Sequence, residues 1–415
     1  MRQIQIGLYL GLKQIQRANI WATTLIITIV LFTFLNLVVL SGILLGIVDG
    51  SLYQVRTEAL GDITITPLDS ETKILDTQQF LKTLAGYHEI ASYSPRYTAL
   101  GLIEANYEER IDFTKEPDVI AVTITGIDPE LESKSTRMPE LVAEGEFLDP
   151  AESGFVMLGK YNVDRYAEEF GNVFDSLKDI YPGDKVRITA GDETREFTVK
   201  GILDSKIDLV SVGVYVSETD FRRLFERVDM NANQIVVKLE SGYNEELVRD
   251  RLRSSNLVAL GEINSFNEEI PKFIVDVRET FSVLSLLAGV TGVLVASITI
   301  FIVIFINALS NRRQIGILKA IGITERTIEY AYVTQALVYT IIGSLLGISL
   351  TYFLLVPYFE VNPIDFPFAD TKMSVSLLDM FWRSSALILT ACFSGFLAVW
   401  LIAKQNILDS ILGRK

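Results

Sequence analysis

Residues 280–311 read TFSVLSLLAGVTGVLVASITIFIVIFINALSN, without a charge, and the basic pair Arg312 and Arg313 follows at once. A helix needs about 20 mainly apolar residues to cross a hydrocarbon core about 30 Å thick, and this run exceeds that. Three other charge-free runs, 18–48, 330–359 and 384–403, meet the same requirement. Four transmembrane helices are therefore expected. The overall composition, 49% hydrophobic with a mean hydropathy of +0.32, is only slightly high for a soluble protein. That average hides the pattern, because the charges are absent from the four runs and concentrated between the first two.

Read in order, the chain divides into an amphipathic lead-in over 1–19 and spans over 20–48, 280–309, 330–357 and 384–403. An α+β domain with its stalk fills 49–278, a connecting segment occupies 310–329, a short outer loop 358–383 and a tail 404–415. The first run is longer than the apolar region of a secretory signal peptide, about 7–15 residues, so it is expected to remain as a span. Arg2, Lys13 and Arg17 precede it, Arg312, Arg313, Lys319 and Arg326 lie between the second and third spans, and Lys404, Arg414 and Lys415 follow the fourth. The bias of Lys and Arg toward the cytoplasm places all three segments inside. Glu360, Asp365, Asp370 and Asp379, set against Lys372 and Arg383, suit the outer loop.

The large segment from Asp49 to Arg278 is then outside. It carries 44 of the 52 acidic and 25 of the 37 basic residues, a net charge of −19. Such a surface argues against nucleic acid as a partner, since phosphate binding rests on clustered basic residues. It is compatible with cationic or amphiphilic cargo, but a solubilising surface is the favoured reading. Strand signals rich in β-branched residues fall at 63–66, 119–127, 185–189, 196–203, 212–216 and 234–239. Helical patterns fall at 77–85, 160–170, 218–227 and 244–254, with Ser217 and Asp220 forming a helix-start pattern. An α+β domain of two lobes is the reading. From Ile270, the residues Phe273, Ile274, Val277 and Phe281 continue at helical spacing into the second span, which predicts a stalk; an amphipathic helix packed on the domain is the alternative.

No catalytic or metal-binding constellation is found. There is one histidine, His88, and one cysteine, Cys392, so neither a histidine-based metal site nor an intrachain disulfide can form. Small residues at four-residue spacing, Gly42 with Gly46, Gly343 with Gly347 and Ala391 with Gly395, predict close helix packing, either inside one bundle or at a dimer interface.

Residues 311–324 read NRRQIGILKAIGIT. Ile315, Leu318 and Ile321 share one helical face, Arg312, Arg313 and Lys319 supply positive charge, and Gly322 stands where helices stop. Physics alone allows an interfacial anchor near anionic headgroups. The segment also resembles the cytoplasmic coupling helix of MacB/FtsX-type ABC transporter permeases, which include the LolC and LolE lipoprotein-release subunits. In that pattern, R-R-x-E-I-G-x-L-x-A-x-G, the counterparts are Arg312, Arg313, Ile315, Gly316, Leu318, Ala320 and Gly322. Gln314 stands where the family usually has Glu; a glutamine cannot make that residue's ion pair, though its side chain can accept a hydrogen bond there. The order of one span, a large domain and three spans is also the family's, and 144–148 and 197–203 resemble strands of its MacB-like periplasmic domain.

The resemblance implies a permease in the cytoplasmic (inner) membrane, paired with a second copy or a paralogue and driven by two cytoplasmic ABC ATPase subunits. A membrane-fusion or envelope protein is a further implied partner. No G-x-x-x-x-G-K-[ST] loop occurs in the sequence, so ATP and Mg are expected on the partner and no cofactor or enzymatic activity on this chain. The implied function is mechanotransmission, in which ATP hydrolysis drives export or extraction of a lipidic, lipoprotein, peptide or drug cargo at the outer membrane face. The alternative is an FtsX-like regulator that activates an extracytoplasmic cell-wall hydrolase.

Overall fold

The computed structural model describes residues 2–108, 117–167, 173–367 and 369–403. It contains two compact units, one formed by Met1–Gly50, Asp276–Phe366 and Asp370–Lys415, the other by Ser51–Val275 with Pro367–Ala369. The basic tail after residue 403 and the end of the expected helix at 160–170 lie outside the described residues.

The first unit is helical. Among the described residues, four helices are long and apolar enough to cross a membrane: Ile20–Leu60, Lys272–Ser310, Glu325–Val361 and Leu377–Ile402. The first two, of 41 and 39 residues, are about 60 Å long at 1.5 Å per residue, twice the hydrocarbon thickness. Both therefore extend well beyond a bilayer. The helix Lys272–Ser310 is unbroken, so the apolar spacing that begins near Ile270 continues into the second span as one helix. The first helix also passes the expected end at residue 48, because the charge at Asp49 lowers hydropathy without stopping a helix. It continues to Gln54 and through a π-helical turn, Val55–Leu60, and ends at Gly61, whose φ of +71° favours glycine. The fourth helix starts earlier than 384, at Leu377, where the Ser376 hydroxyl accepts from the Asp379 amide. Asp379 and Arg383 therefore lie within it, and Arg383 Nη1 donates to the Leu37 carbonyl at 2.9 Å.

The small residues are used inside this unit. A Cβ on Gly343 would stand 2.6 Å from Val30 Cγ1, and one on Gly347 would strike the Phe34 ring. Gly42 faces Val375 and Met373, Gly46 the Lys372 carbonyl, and Gly395 the Ala336 methyl. Phe34, Ala336 and Ala391 are fully buried in the same apolar cluster.

The second unit is built on a sheet of ten strands. They are β1 (Ile63–Thr66), β2 (Ile90–Ala105), β3 (Asp118–Ile127), β4 (Val142–Gly145), β5 (Phe155–Gly159), β6 (Lys185–Ala190), β7 (Glu193–Leu203), β8 (Val214–Ser217), β9 (Gln234–Leu239) and β10 (Glu262–Ser265). Four of them lie in the order β10-β1-β9-β2, all antiparallel. With the helices Thr77–Leu84 between β1 and β2 and Glu245–Arg253 between β9 and β10, this is a ferredoxin-like βαβ–βαβ lobe. The chain between β2 and β9 is an insertion that forms the second lobe. There β2 pairs β3, β3 pairs β8, β8 pairs β5, β5 pairs β7, β7 pairs β6, and β6 returns to β2. This closes a six-stranded ring, with β4 appended to β7 at its edge. Ile103, Ile124, Val156, Leu158, Ile188, Val214 and Val216 fill the shared core, while the alternate residues Met157 and Tyr215 face a second cluster.

Candidate functional site

The connecting segment forms a helix, Arg312–Ala320, that follows Asn311 and ends at Ile321, before Gly322 at φ +92°. Ile315 is 2% exposed and joins the bundle's apolar cluster, with Gly316 buried beside it and Leu318 and Ile323 packed on its edge. The expected inward stripe stops there. Ile321 is 71% exposed and Ile317 49%, because the helix ends at Ala320 and the chain turns away. The uncovered face thus holds Arg313, Gln314, Ile317, Ala320 and Ile321. Lys319 Nζ pairs with Glu325 Oε1 at 2.8 Å, which closes the turn into the next helix.

A chain of amides ties this helix to its neighbours. Asn311 Nδ2 donates to Asn307 Oδ1 at 3.0 Å, Asn307 Nδ2 to Gln335 Oε1 at 3.3 Å, and Gln335 Nε2 to Gln14 Oε1. Gln14 lies on the lead-in helix Arg2–Arg17, which packs on Glu325–Leu350 through Gly7 and Gly11. A Cβ on Gly7 would stand 2.5 Å from Tyr330 Cβ, and one on Gly11 2.5 Å from the Ala331 carbonyl oxygen. This pair has the same small-residue spacing as the expected ones and was legible by the same rule.

At the outer end of the first long helix a different site is built. Arg96 on β2 donates from Nη1 to the Ala59 carbonyl at 2.6 Å, at the helix C-terminus where a cation is favoured. The same guanidinium grips Glu132 through two bonds, Nη2 to Oε1 at 2.6 Å and Nε to Oε2 at 3.2 Å. Ser94 and Thr136 hydroxyls donate to that carboxylate at 2.6 and 2.8 Å. Burial opposes the charged form of Glu132, yet Arg96, Ser94 and Thr136 outweigh it and hold the carboxyl below its ordinary pKa. Glu58, 3% exposed, accepts from Ser205 Oγ at 2.6 Å. Arg56 pairs with Glu245 at 2.6 Å and lies 4.4 Å over the Phe266 ring. Burial raises the pKa of Glu245 despite that partner. Around these groups Val55, Ala59 and Leu60 of the first stalk, with Ile270 and Ile274 at the start of the second, pack on Ile127, Met157, Leu203 and Tyr215. Both stalks thus enter one apolar cluster at the base of the lobes.

Residues 23–255 match the MacB-like periplasmic core domain, and residues 286–407 match the FtsX-like permease C-terminal domain. The chain belongs to the MacB/FtsX-type ABC transporter permeases. Among curated proteins, this permease is similar to the macrolide export ATP-binding/permease protein MacB of Campylobacter jejuni. Identity is 22% over 355 residues, covering 80% of this chain and 53% of the relative. A probable export ATP-binding/permease protein of Pseudomonas fluorescens is 24% identical over 123 residues, 29% of this chain and 19% of the relative. The chain thus spans about half the length of the first of these, 53%. The periplasmic region of MacB from Actinobacillus actinomycetemcomitans, a crystal structure, is 16% identical with a TM-score of 0.35 and covers 52% of this chain and 94% of its own. The extracellular domain of the noncanonic ABC-type transporter YknZ from Gram-positive bacteria is 14% identical with a TM-score of 0.29, covering 46% and 86%.

Within this permease the sequence-derived residues fall into two groups. Arg312 to Gly322 form one continuous helix and its stop, with Ile315 and Gly316 buried and Arg313 and Gln314 outward. Gly42, Gly46, Gly343 and Gly347 each face a neighbouring segment of the same chain. Sequence reading missed the joint at Arg96 and Glu132, which lie 36 residues apart and carry no local pattern.

Proposed function

We propose that the permease is a mechanotransmission subunit, in which a cytoplasmic ABC ATPase moves the Arg312–Ala320 helix and the long helices pass that motion to the outer domain. The observation that carries this is the pair of long helices, Ile20–Leu60 and Lys272–Ser310, whose outer ends share one core with the base of the domain. A helix of that length, packed at its end on buried side chains, transmits displacement with little internal give. The uncovered face of the coupling helix, with Ile317 and Ile321 beside Arg313, has the mixed apolar and basic character that suits a groove on a partner. The Lys and Arg bias of the segments beside the spans supports an N-terminus and a coupling helix at the cytoplasmic face of the inner membrane. ATP and Mg then sit on the ATPase, and the cargo is lipidic, lipoprotein, peptide or drug, handled at the outer face.

The test is affinity purification from the native host in mild detergent, followed by mass spectrometry and an ATPase assay. Recovery of an ABC ATPase whose activity falls on Arg312→Glu/Arg313→Glu substitution supports the reading. An unaltered ATPase rate with that variant removes the docking role. Two glycines inserted after Arg278 are expected to leave ATP hydrolysis intact while abolishing ATP-dependent distance changes between spin labels on the outer domains of paired copies. Unchanged distances in the wild type would refute transmission.

A further inference from the structure

We propose that the permease holds one anionic phospholipid in a cavity of about 890 Å³ bounded by the lead-in helix, the start of the first span, the end of the second and the coupling helix. This rests on the reading that places those elements at the inner membrane face. The volume lies in the range of about 300–1,000 Å³ in which proteins enclose small ligands. Its chemistry is divided along its length. Lys13 and Arg17 bring positive charge to one part, and the described lining contains no aspartate or glutamate. The amides of Asn307 and Gln335 also line it; each uses one N–H in the amide chain and has a second that can donate to phosphate or ester oxygens. Beyond these, Ile26, Ile29, Val303 and Ile306 make an apolar wall suited to an acyl chain.

Each alternative occupant leaves part of this lining unsatisfied. A free phosphate would meet the cations but not the isoleucines. An apolar helix from a second copy would cover the isoleucines and strip water from two cations and several amides without replacing their hydrogen bonds. A lipid with a negatively charged headgroup satisfies both parts at once, and it is abundant at that depth. Gln314 and Leu318 of the coupling helix line the same cavity, so the lipid touches the element to which an ATPase would dock.

The test is native mass spectrometry of the full chain, purified in mild detergent and equilibrated with equimolar phosphatidylglycerol and phosphatidylethanolamine. The wild type is expected to retain phosphatidylglycerol about thirtyfold over phosphatidylethanolamine, the scale set by two basic groups near an anionic headgroup. Lys13→Gln/Arg17→Gln should abolish the preference, and Ala22→Trp, which fills the cavity, should lower retention of both lipids. Equal retention of the two lipids by the wild type, or an undiminished preference in the double variant, overturns the proposal. So does a disulfide between copies carrying Ala22→Cys in a Cys392→Ser background, because a second copy would then cover the cavity. Lipid preference without recovery of an ATPase would break the transmission reading and leave the lipid site standing; an ATPase complex without lipid preference would do the reverse.

Discussion

The outer end of the first stalk and the coupling helix are fixed by opposite means. At the stalk, charges are taken out of water and satisfied in full: Arg96 reaches Glu132 and the Ala59 carbonyl, and Glu132 also receives Ser94 and Thr136. At the Arg312–Ala320 helix the attachments include Ile315 in an apolar cluster, the amide chain from Asn311 to Gln14, and the ion pair of Lys319 with Glu325, whose carboxylate side chain is half exposed. A buried ion pair tolerates little displacement, because each partner left alone is an uncompensated charge. A short helix held along one side by apolar contacts, amides and a half-exposed pair keeps its other face open. In the transmission reading this is a stiff output joined to an input that remains available to a partner.

The largest effect is therefore expected at the joint. Arg96→Ala should lower stability by about 3–5 kcal/mol, since it strands Glu132 in the interior. Chemical unfolding of the full chain in detergent measures this. Arg96→Met/Glu132→Leu should recover most of the loss; a single variant costing under about 1 kcal/mol would show that the pair does not hold the joint. The same pair predicts an acid dependence. The folded-state pKa of Glu132 is depressed below the ordinary 4.5, so its contribution is complete above that value and is lost as pH falls through the folded value. The stability difference between wild type and the double variant should accordingly shift toward the variant between pH 5 and pH 3, about the range in which carboxylates titrate. A constant difference across that range would contradict it.

Next come the glycines of the helical bundle. Gly347→Leu drives a side chain into Phe34 and Gly42→Leu one into Val375 and Met373. Each should cost about 1–3 kcal/mol by overpacking, read as a lowered unfolding midpoint. Variants as stable as the wild type would mean that these faces separate easily. Lys319→Ala, which removes the pair and leaves the half-exposed Glu325 carboxylate to water, should cost about 1 kcal/mol in the same measurement.

How far the sequence foretold this molecule depends on whether the forces involved are local. The spans were legible because a bilayer demands long uncharged runs, and β1 and β9 because β-branched residues are bounded there by turn signals. The longest strand, β2, was not, since Ser92, Ser94, Pro95 and Gly101 break its pattern. Pro95 is tolerated because pairing with β3 begins only at Arg96, so at Pro95 the strand has β9 alone as its neighbour. The helix Pro129–Ser135 did carry a signal, Asp128 capping with Pro129 at the first position, which the strand-dominated reading of that stretch passed over. The joint at Arg96 was not legible at all, because closure of the ring and insertion of one lobe into the other bring its members together. In the coupling helix, composition showed which residues could be apolar, but only the point where the helix ends decides that Ile321 turns outward.

That outward turn leads to the prediction with the smallest effect on the fold. Ile317→Glu/Ile321→Glu alters two exposed side chains and should change unfolding free energy by no more than about 0.5 kcal/mol each, the range for surface positions. If the face docks into an ATPase, the same variant should abolish co-purification of that subunit, since two charges would enter an apolar contact. If the face instead lies against lipid, the variant should keep its ATPase and lose only membrane attachment of the segment, measured as increased labelling of an Ala320→Cys reporter by a water-soluble thiol reagent. Ile315→Glu is the necessary contrast. It buries a charge in the bundle and should unfold the helix and lose the ATPase together, so only a variant pair that separates stability from capture assigns docking to the exposed isoleucines.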